Sequence, residues 1–189
     1  GNIMYPKSEP YKLCTFSRVM KEKGIEDAID AVRSVNAHFG RTVYTLDIFG
    51  QVDAGYEERF SELKKSFPSY ISYGGTIEAN KSVEILKSYF ALLFPTYYKG
   101  EGFAGTLIDA MSAGVPVIAS DWKYNSEFVV PGKTGVIIEN CNAERLAEEL
   151  INIAAAPEKW NSMRLSSLKE SEKYKPDIAA RPLIDRING

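Results

Sequence analysis

Apolar and polar positions follow two rhythms along this chain. Short runs rich in β-branched, aromatic and leucine residues predict six strands, near 11–16 (YKLCTF), 42–49 (TVYTLDIF), 70–73 (YISY), 90–94 (FALLF), 115–119 (VPVIA) and 135–138 (GVII). Between them Ile25, Ala28, Ile29, Val32, Val35 and Phe39 recur at helical spacing, and Leu107, Ala110, Met111 and Gly114 do so over two turns. Further helices are predicted near 56–66, 78–88, 143–155, 158–172 and 177–188. The last three follow one another with no strand between, a tail able to wrap back over a sheet. Strands alternating with helices predict an α/β fold, a Rossmann-like parallel sheet of about six strands flanked by helices. Residues 11–189 read as one domain, and 1–10, with Pro6 and Pro10, as the end of an interdomain linker.

Composition narrows the function classes. Apolar residues make up 44% of the 189 and charged ones 25%, with 23 basic against 25 acidic side chains, the balance of a soluble globular protein. A formal net charge of −2 gives no electrostatic case for a nucleic-acid partner. Cys14 and Cys141 are too few for a disulfide framework and suggest a reducing, cytoplasmic setting. No window approaches 18 consecutive apolar residues, and no signal-peptide order is present. Peripheral association of the full-length protein with the inner face of a membrane stays open. His38, the lone histidine, sits off the apolar face of its helix and reads as a surface residue.

Candidate chemistry gathers where loops leave the carboxyl ends of parallel strands and enter helices. After the first strand, Ser17-Arg18-Val19-Met20-Lys21-Glu22-Lys23-Gly24 leads into the helix at Ile25. Arg18 and Lys23 near a helix N-terminus suit phosphate oxygens. The same residues read equally as a solvated charged loop, with Glu22, Glu26 and Asp27 balancing the cations.

After the fourth strand, Glu101-Gly102-Phe103-Ala104-Gly105-Thr106 enters a helix with little side-chain bulk, so a ligand can approach its free N–H groups. Asp109 falls about one turn inside that helix. Glu101 and Asp109 can therefore border one pocket and accept from vicinal sugar hydroxyls. Alternatively, Glu101 caps a loop and Asp109 complements the helix dipole. Tyr97 and Tyr98, just before Glu101, suit either a sugar pocket or packing at the strand end.

Taken in order, Arg18 with Lys23-Gly24, Glu101-Gly-Phe-Ala-Gly, Asp109-Ala-Met, the segment 114–120 (GVPVIAS) and the segment 127–135 (EFVVPGKTG) resemble the nucleotide-sugar-binding domain of group 1 glycosyltransferases. These are family four of the retaining enzymes, with a GT-B fold of two Rossmann-like halves. The resemblance spans about 13–140. It implies that Arg18 and Lys23 contact the donor diphosphate, that Glu101 binds the donor sugar, and that Asp109 binds the ribose. It places the distal phosphate on the amides of Gly105 and Thr106, within a donor loop formed by Gly102, Phe103 and Ala104. The base would lie against Thr76 and Ile77. Ser17 and Ala104 stand where glycine is usual, and Asp109 is one methylene shorter than the usual glutamate.

The resemblance implies the donor half of a retaining glycosyltransferase that takes a nucleoside-diphosphate sugar, UDP-sugars first, and passes the sugar to a glycan or lipid-linked acceptor. Arg18, Lys23 and Glu101 are the catalytic candidates, assisting departure of the diphosphate. No metal or other cofactor is expected, since no Asp-x-Asp pair occurs. A partner N-terminal acceptor domain is implied, and this chain alone is expected to bind donor without transferring sugar. The competing readings are a non-catalytic nucleotide-binding or interaction module, and a sugar epimerase or phosphorylase of similar architecture.

Overall fold

The computed structural model describes residues 3, 5–102 and 105–175. Six strands, β1 (Tyr11–Phe16), β2 (Tyr44–Phe49), β3 (Ile71–Gly75), β4 (Ala91–Phe94), β5 (Val117–Ser120) and β6 (Gly135–Ile138), form one parallel sheet in the order β3-β2-β1-β4-β5-β6. The helices are α1 (Ile25–Phe39), α2 (Glu57–Lys65), α3 (Ser82–Leu86), α4 (Gly105–Ser112), α5 (Asn125–Phe128), α6 (Ala143–Ala155) and α7 (Pro157–Ser171). The helix expected near 177–188 lies outside the described residues.

Both faces of the sheet are covered, so its central strands β4 and β5 are buried throughout, while β1, β2 and β3 keep a few polar positions. Leu13, Leu46, Ile48, Leu93 and Ile118 pack on one face with Ile25, Ile29 and Val32 of α1, Phe60 of α2 and Leu146 and Leu150 of α6. Cys14, Leu92, Phe94, Val117 and Ala119 pack on the other with Leu86 of α3 and Leu107, Ala110 and Met111 of α4. Each fully buried leucine, isoleucine or phenylalanine contributes about 1.5–3 kcal/mol.

Buried polar side chains pin the elements together. Asn36 near the end of α1 accepts from Val43 N (2.9 Å) and Tyr44 N (3.0 Å) and donates to Tyr44 O (2.9 Å), so β2 begins two residues later than its apolar pattern suggests. Of the expected tail, α7 packs at the amino end of β4. Trp160 Nε1 donates to Phe90 O (3.0 Å), and the guanidinium of Arg164, fully buried, donates to Phe90 O (3.1 Å) and Tyr89 O (2.9 Å) just ahead of β4. Desolvation lowers the Arg164 pKa to about 10, which leaves it charged at neutral pH. Segment 5–10, expected to be a linker, touches the domain: Asn161 donates to Pro6 O (2.8 Å) and Glu9 pairs with Arg41 (2.7 Å).

With the carboxyl ends left uncovered, the switch in strand order falls between β1 and β4. The loop after β1 turns toward β2 and the loop after β4 toward β5, and such divergence opens a crevice where ligands of doubly wound sheets bind.

Candidate functional site

The loop leaving β1 is held by its neighbours. Val19 N donates to Gln51 O (2.8 Å) and Asp53 N to Val19 O (2.9 Å), so it runs alongside the loop leaving β2. Two glycines permit this path. Gly50 has φ +136°, and a Cβ there would stand 1.7 Å from Ser17 O; Gly24 has φ +74°, and a Cβ there would stand 2.2 Å from Pro95 O. Gly24 is the N-cap of α1 and follows a 3-10 turn at Lys21–Lys23.

This geometry revises the picture of a solvated loop balanced by its own acids. Lys23 reaches across the crevice to Glu101, with Nζ 2.7 and 2.8 Å from the two carboxylate oxygens, and the side chains are only 10% and 9% exposed. Thr96, at 1% exposure, donates its hydroxyl to Glu101 Oε2 (2.7 Å). Arg18, about half exposed, pairs with Asp53 at 3.2 Å. Glu26, expected to balance those cations, instead binds Arg59 (2.6 Å) and accepts from the Tyr56 hydroxyl (2.8 Å). Arg18 and Lys23 converge over the Tyr98 ring, 5.7 and 5.0 Å from its centre.

Beside this cluster a cleft of about 240 Å³ is lined by Phe16, Ser17, Phe49, Gly50, Thr76, Ile77, Ala79, Ser82, Thr106 and Asp109. Five residues singled out in the sequence, Ser17, Thr76, Ile77, Thr106 and Asp109, thus meet from three separate segments, the loops after β1 and β3 and the helix α4. Asp109 Oδ2 lies 2.5 Å from Ser82 Oγ. Gly102 and Gly105 face open space, since a Cβ at either would meet nothing within 4 Å. Phe103 and Ala104 lie outside the described residues. Ser17 keeps a negative φ, because Lys123 and Asn140 are the non-glycine residues with positive φ among the described ones. The serine therefore sits at the usual glycine position without backbone strain.

The two acids expected to border one pocket are held separately. Asp109 lines the cleft, whereas Glu101 is engaged by Lys23 and Thr96 and is not among the lining residues. Tyr97 is 38% exposed, and burial together with Asp27 raises its pKa, keeping its hydroxyl neutral. His38 is exposed at the end of α1, as its pattern predicts. Sequence reading missed Asp53, Ser82 and Thr96. Each is a short polar residue whose partner is 35, 27 or 5 positions away, and no periodic signal marks such a pair. No helix among the described residues is long and apolar enough to cross a membrane.

Comparison with known proteins decides the family. The sequence profile of glycosyl transferases group 1 matches residues 5–167. This chain belongs to that family. It is 32% identical over 139 residues to the GtfA subunit of the UDP-N-acetylglucosamine–peptide N-acetylglucosaminyltransferase of Streptococcus gordonii, covering 72% of this chain and 26% of that protein. Among solved structures, the C-terminal domain of the group 1 glycosyltransferase LpcC of Francisella tularensis superposes with a TM-score of 0.76 at 19% identity, covering 88% of this chain and 87% of that one. HepE of Anabaena, solved with UDP and glucose, superposes with a TM-score of 0.81 at 16% identity, covering 94% and 48%. The fold is thus that of a GT-B C-terminal domain. The chain spans 26% to 36% of the length of the first curated relatives it matches.

Proposed function

We propose that this group 1 chain is the donor-binding half of a retaining glycosyltransferase, and that its donor is a nucleoside-diphosphate sugar, UDP-sugars being the first candidates. One observation carries the reading: Ser17, Thr76, Ile77, Thr106 and Asp109 line a single cleft at the carboxyl ends of the strands, next to the cations Arg18 and Lys23. Curated relatives named for UDP-sugar transfer support it.

In this reading the nucleoside occupies the cleft. Its base lies against Thr76 and Ile77, and the ribose hydroxyls donate to Asp109. The diphosphate bridges from the first turn of α4, whose Gly105 and Thr106 amides have no intrahelical acceptor, to Arg18 and Lys23. The sugar lies toward Glu101, whose oxygens accept from its hydroxyls. As the glycosidic bond to phosphate lengthens, negative charge grows on the leaving diphosphate, and two cations and a helix N-terminus held in place stabilise it. The acceptor is a glycan or a lipid-linked glycan, met with a partner domain across the crevice. No metal is needed.

Calorimetry against UDP, GDP and ADP and their glucose conjugates tests the donor assignment. At least one diphosphate should bind, and Asp109→Ala should weaken that diphosphate and its sugar conjugate alike. If no diphosphate binds, or if Asp109→Ala changes neither ligand, the nucleotide is not held in this cleft.

A further inference from the structure

We infer that Glu101 is an internal competitor for the diphosphate, and that its ion pair with Lys23 makes the site prefer an intact sugar donor over the spent nucleoside diphosphate. The inference rests on the donor-site reading above.

Without ligand, the Lys23 ammonium stands within 2.8 Å of both Glu101 oxygens, and both side chains are about nine-tenths buried. Thr96 Oγ1 holds Oε2 at 2.7 Å, and the Thr96 carbonyl is in turn held by Ser120 Oγ at 2.5 Å. The Glu101 backbone N–H is tied to Tyr98 O (3.0 Å). Glu101 is therefore fixed on two sides and cannot readily swing its charge into water. A phosphate recruiting Lys23 must break this pair, and a buried carboxylate deprived of its cation is strongly unfavourable unless new donors replace it.

The two ligands differ in whether they bring those donors. A sugar nucleotide offers phosphate oxygens to Lys23 and sugar hydroxyls to Glu101, so each partner of the broken pair regains a charge-assisted contact. A bare diphosphate offers only the phosphates and leaves Glu101 with Thr96 alone. Selectivity here comes from an unpaired group that penalises the wrong ligand rather than from an added attraction to the right one. When the sugar has been transferred, the hydroxyls that held Glu101 leave with it. The carboxylate then re-forms its pair with Lys23, and the spent diphosphate is displaced.

Binding of UDP, GDP and ADP and their glucose conjugates should be measured on the parent, Glu101→Gln, Lys23→Met, the double variant and Thr96→Val, with folding checked by circular dichroism. Glu101→Gln should bind the bare diphosphate about tenfold tighter than the parent, while the advantage of the sugar conjugate shrinks. In the Lys23→Met background the same substitution should change diphosphate affinity less than about twofold, because the pair is already gone. Thr96→Val, which frees the carboxylate to turn toward water, should move the diphosphate preference in the same direction as Glu101→Gln, and it serves if Lys23→Met does not fold.

An unchanged or weaker diphosphate affinity in Glu101→Gln overturns the inference. So does an equal gain with and without Lys23, which would reveal plain repulsion between Glu101 and the ligand. Failure of the parent and every variant to bind any of these ligands removes the donor-site reading and the competitor with it. Equal binding by parent and Glu101→Gln removes only the competitor.

Discussion

The hydroxyl of Ser82, the first residue of α3, lies 2.5 Å from Oδ2 of Asp109 on α4. It also lies 2.9 Å from Ala79 O, but its single proton serves one acceptor at a time, and the carboxylate is the stronger. Asp109 is thus oriented from the neighbouring helix, which suits an acid one methylene shorter than the family's usual glutamate. Ser82→Ala should weaken nucleoside diphosphate binding by about three- to tenfold, through loss of one charge-assisted bond and of the carboxylate's orientation. Titration calorimetry on the variant checks this; full parental affinity would show that Asp109 is placed without Ser82.

Arg18 and Lys23 should respond differently to removal. The exposed Arg18–Asp53 pair contributes at most about 1 kcal/mol to stability. Arg18→Ala should leave thermal unfolding nearly unchanged while weakening the diphosphate by about 1.5–3 kcal/mol. Lys23→Ala strands Glu101 beside Thr96 and should destabilise the fold by about 3 kcal/mol, which Glu101→Gln in the same chain should largely restore. Denaturant melts of the three variants separate the roles. An Arg18→Ala protein with full affinity would place the diphosphate elsewhere.

Glycines with positive φ should differ in tolerance according to what surrounds them. Gly50→Ala would drive a methyl group into the Ser17 carbonyl at a positive φ and should lower stability by about 3 kcal/mol or more. Gly40→Ala also meets positive φ but open space, so about 1 kcal/mol is expected. Comparing the two midpoints of unfolding checks the contrast; equal losses would mean that the close approach at Ser17 carries no strain.

If, as proposed, the diphosphate charge is met by Arg18, Lys23 and the amides opening α4 rather than by a bridging ion, donor binding should persist in excess EDTA. Calorimetry with and without chelator should give affinities within about twofold. A steep loss restored by magnesium or manganese would assign the diphosphate's charge to a metal.

Acid sensitivity should trace in part to Glu26. Its hydrogen bonds with Arg59, and secondarily with the Tyr56 hydroxyl, hold its carboxyl below the ordinary 4.5. A depressed folded pKa stabilises the protein above the unfolded value, and that contribution disappears as pH falls through the folded one. Melting temperature should therefore fall less steeply below about pH 5 in Glu26→Gln than in the parent. Identical slopes would remove Glu26 from the acid response.

Short, nearly continuous apolar runs were enough to locate the six described strands, because a sheet covered on both faces needs them. Boundaries shifted where tertiary partners intervened. Asn36 takes the amides of Val43 and Tyr44, and Val115 N closes the end of α4 on Ala110 O, so β2 and β5 start late. The predicted 78–88 helix divides into a 3-10 turn at Ala79–Lys81 and α3, and α5, a single turn, is too short to show a period. Arg18, Lys23, Glu101 and Asp109 were legible as unusual charges at strand-to-helix loops. That Lys23 would grip Glu101 was not, since the pair forms only once β1 and β4 lie side by side.

Arg164 ties the tail to the barrier of global unfolding. Its guanidinium is fully buried and donates through its two terminal nitrogens to the carbonyls of Phe90 and Tyr89, and among the described residues no carboxylate pairs with it and its Nε has no hydrogen-bond partner. Lifting α7 would strip those carbonyls and the Trp160 indole of their partners while the rest of the sheet stayed closed. Such partial opening would leave buried polar groups unpaired and is therefore costly. The amides of α7 should consequently exchange with solvent deuterium as slowly as those of β4, and this helix should behave kinetically as a part of the core.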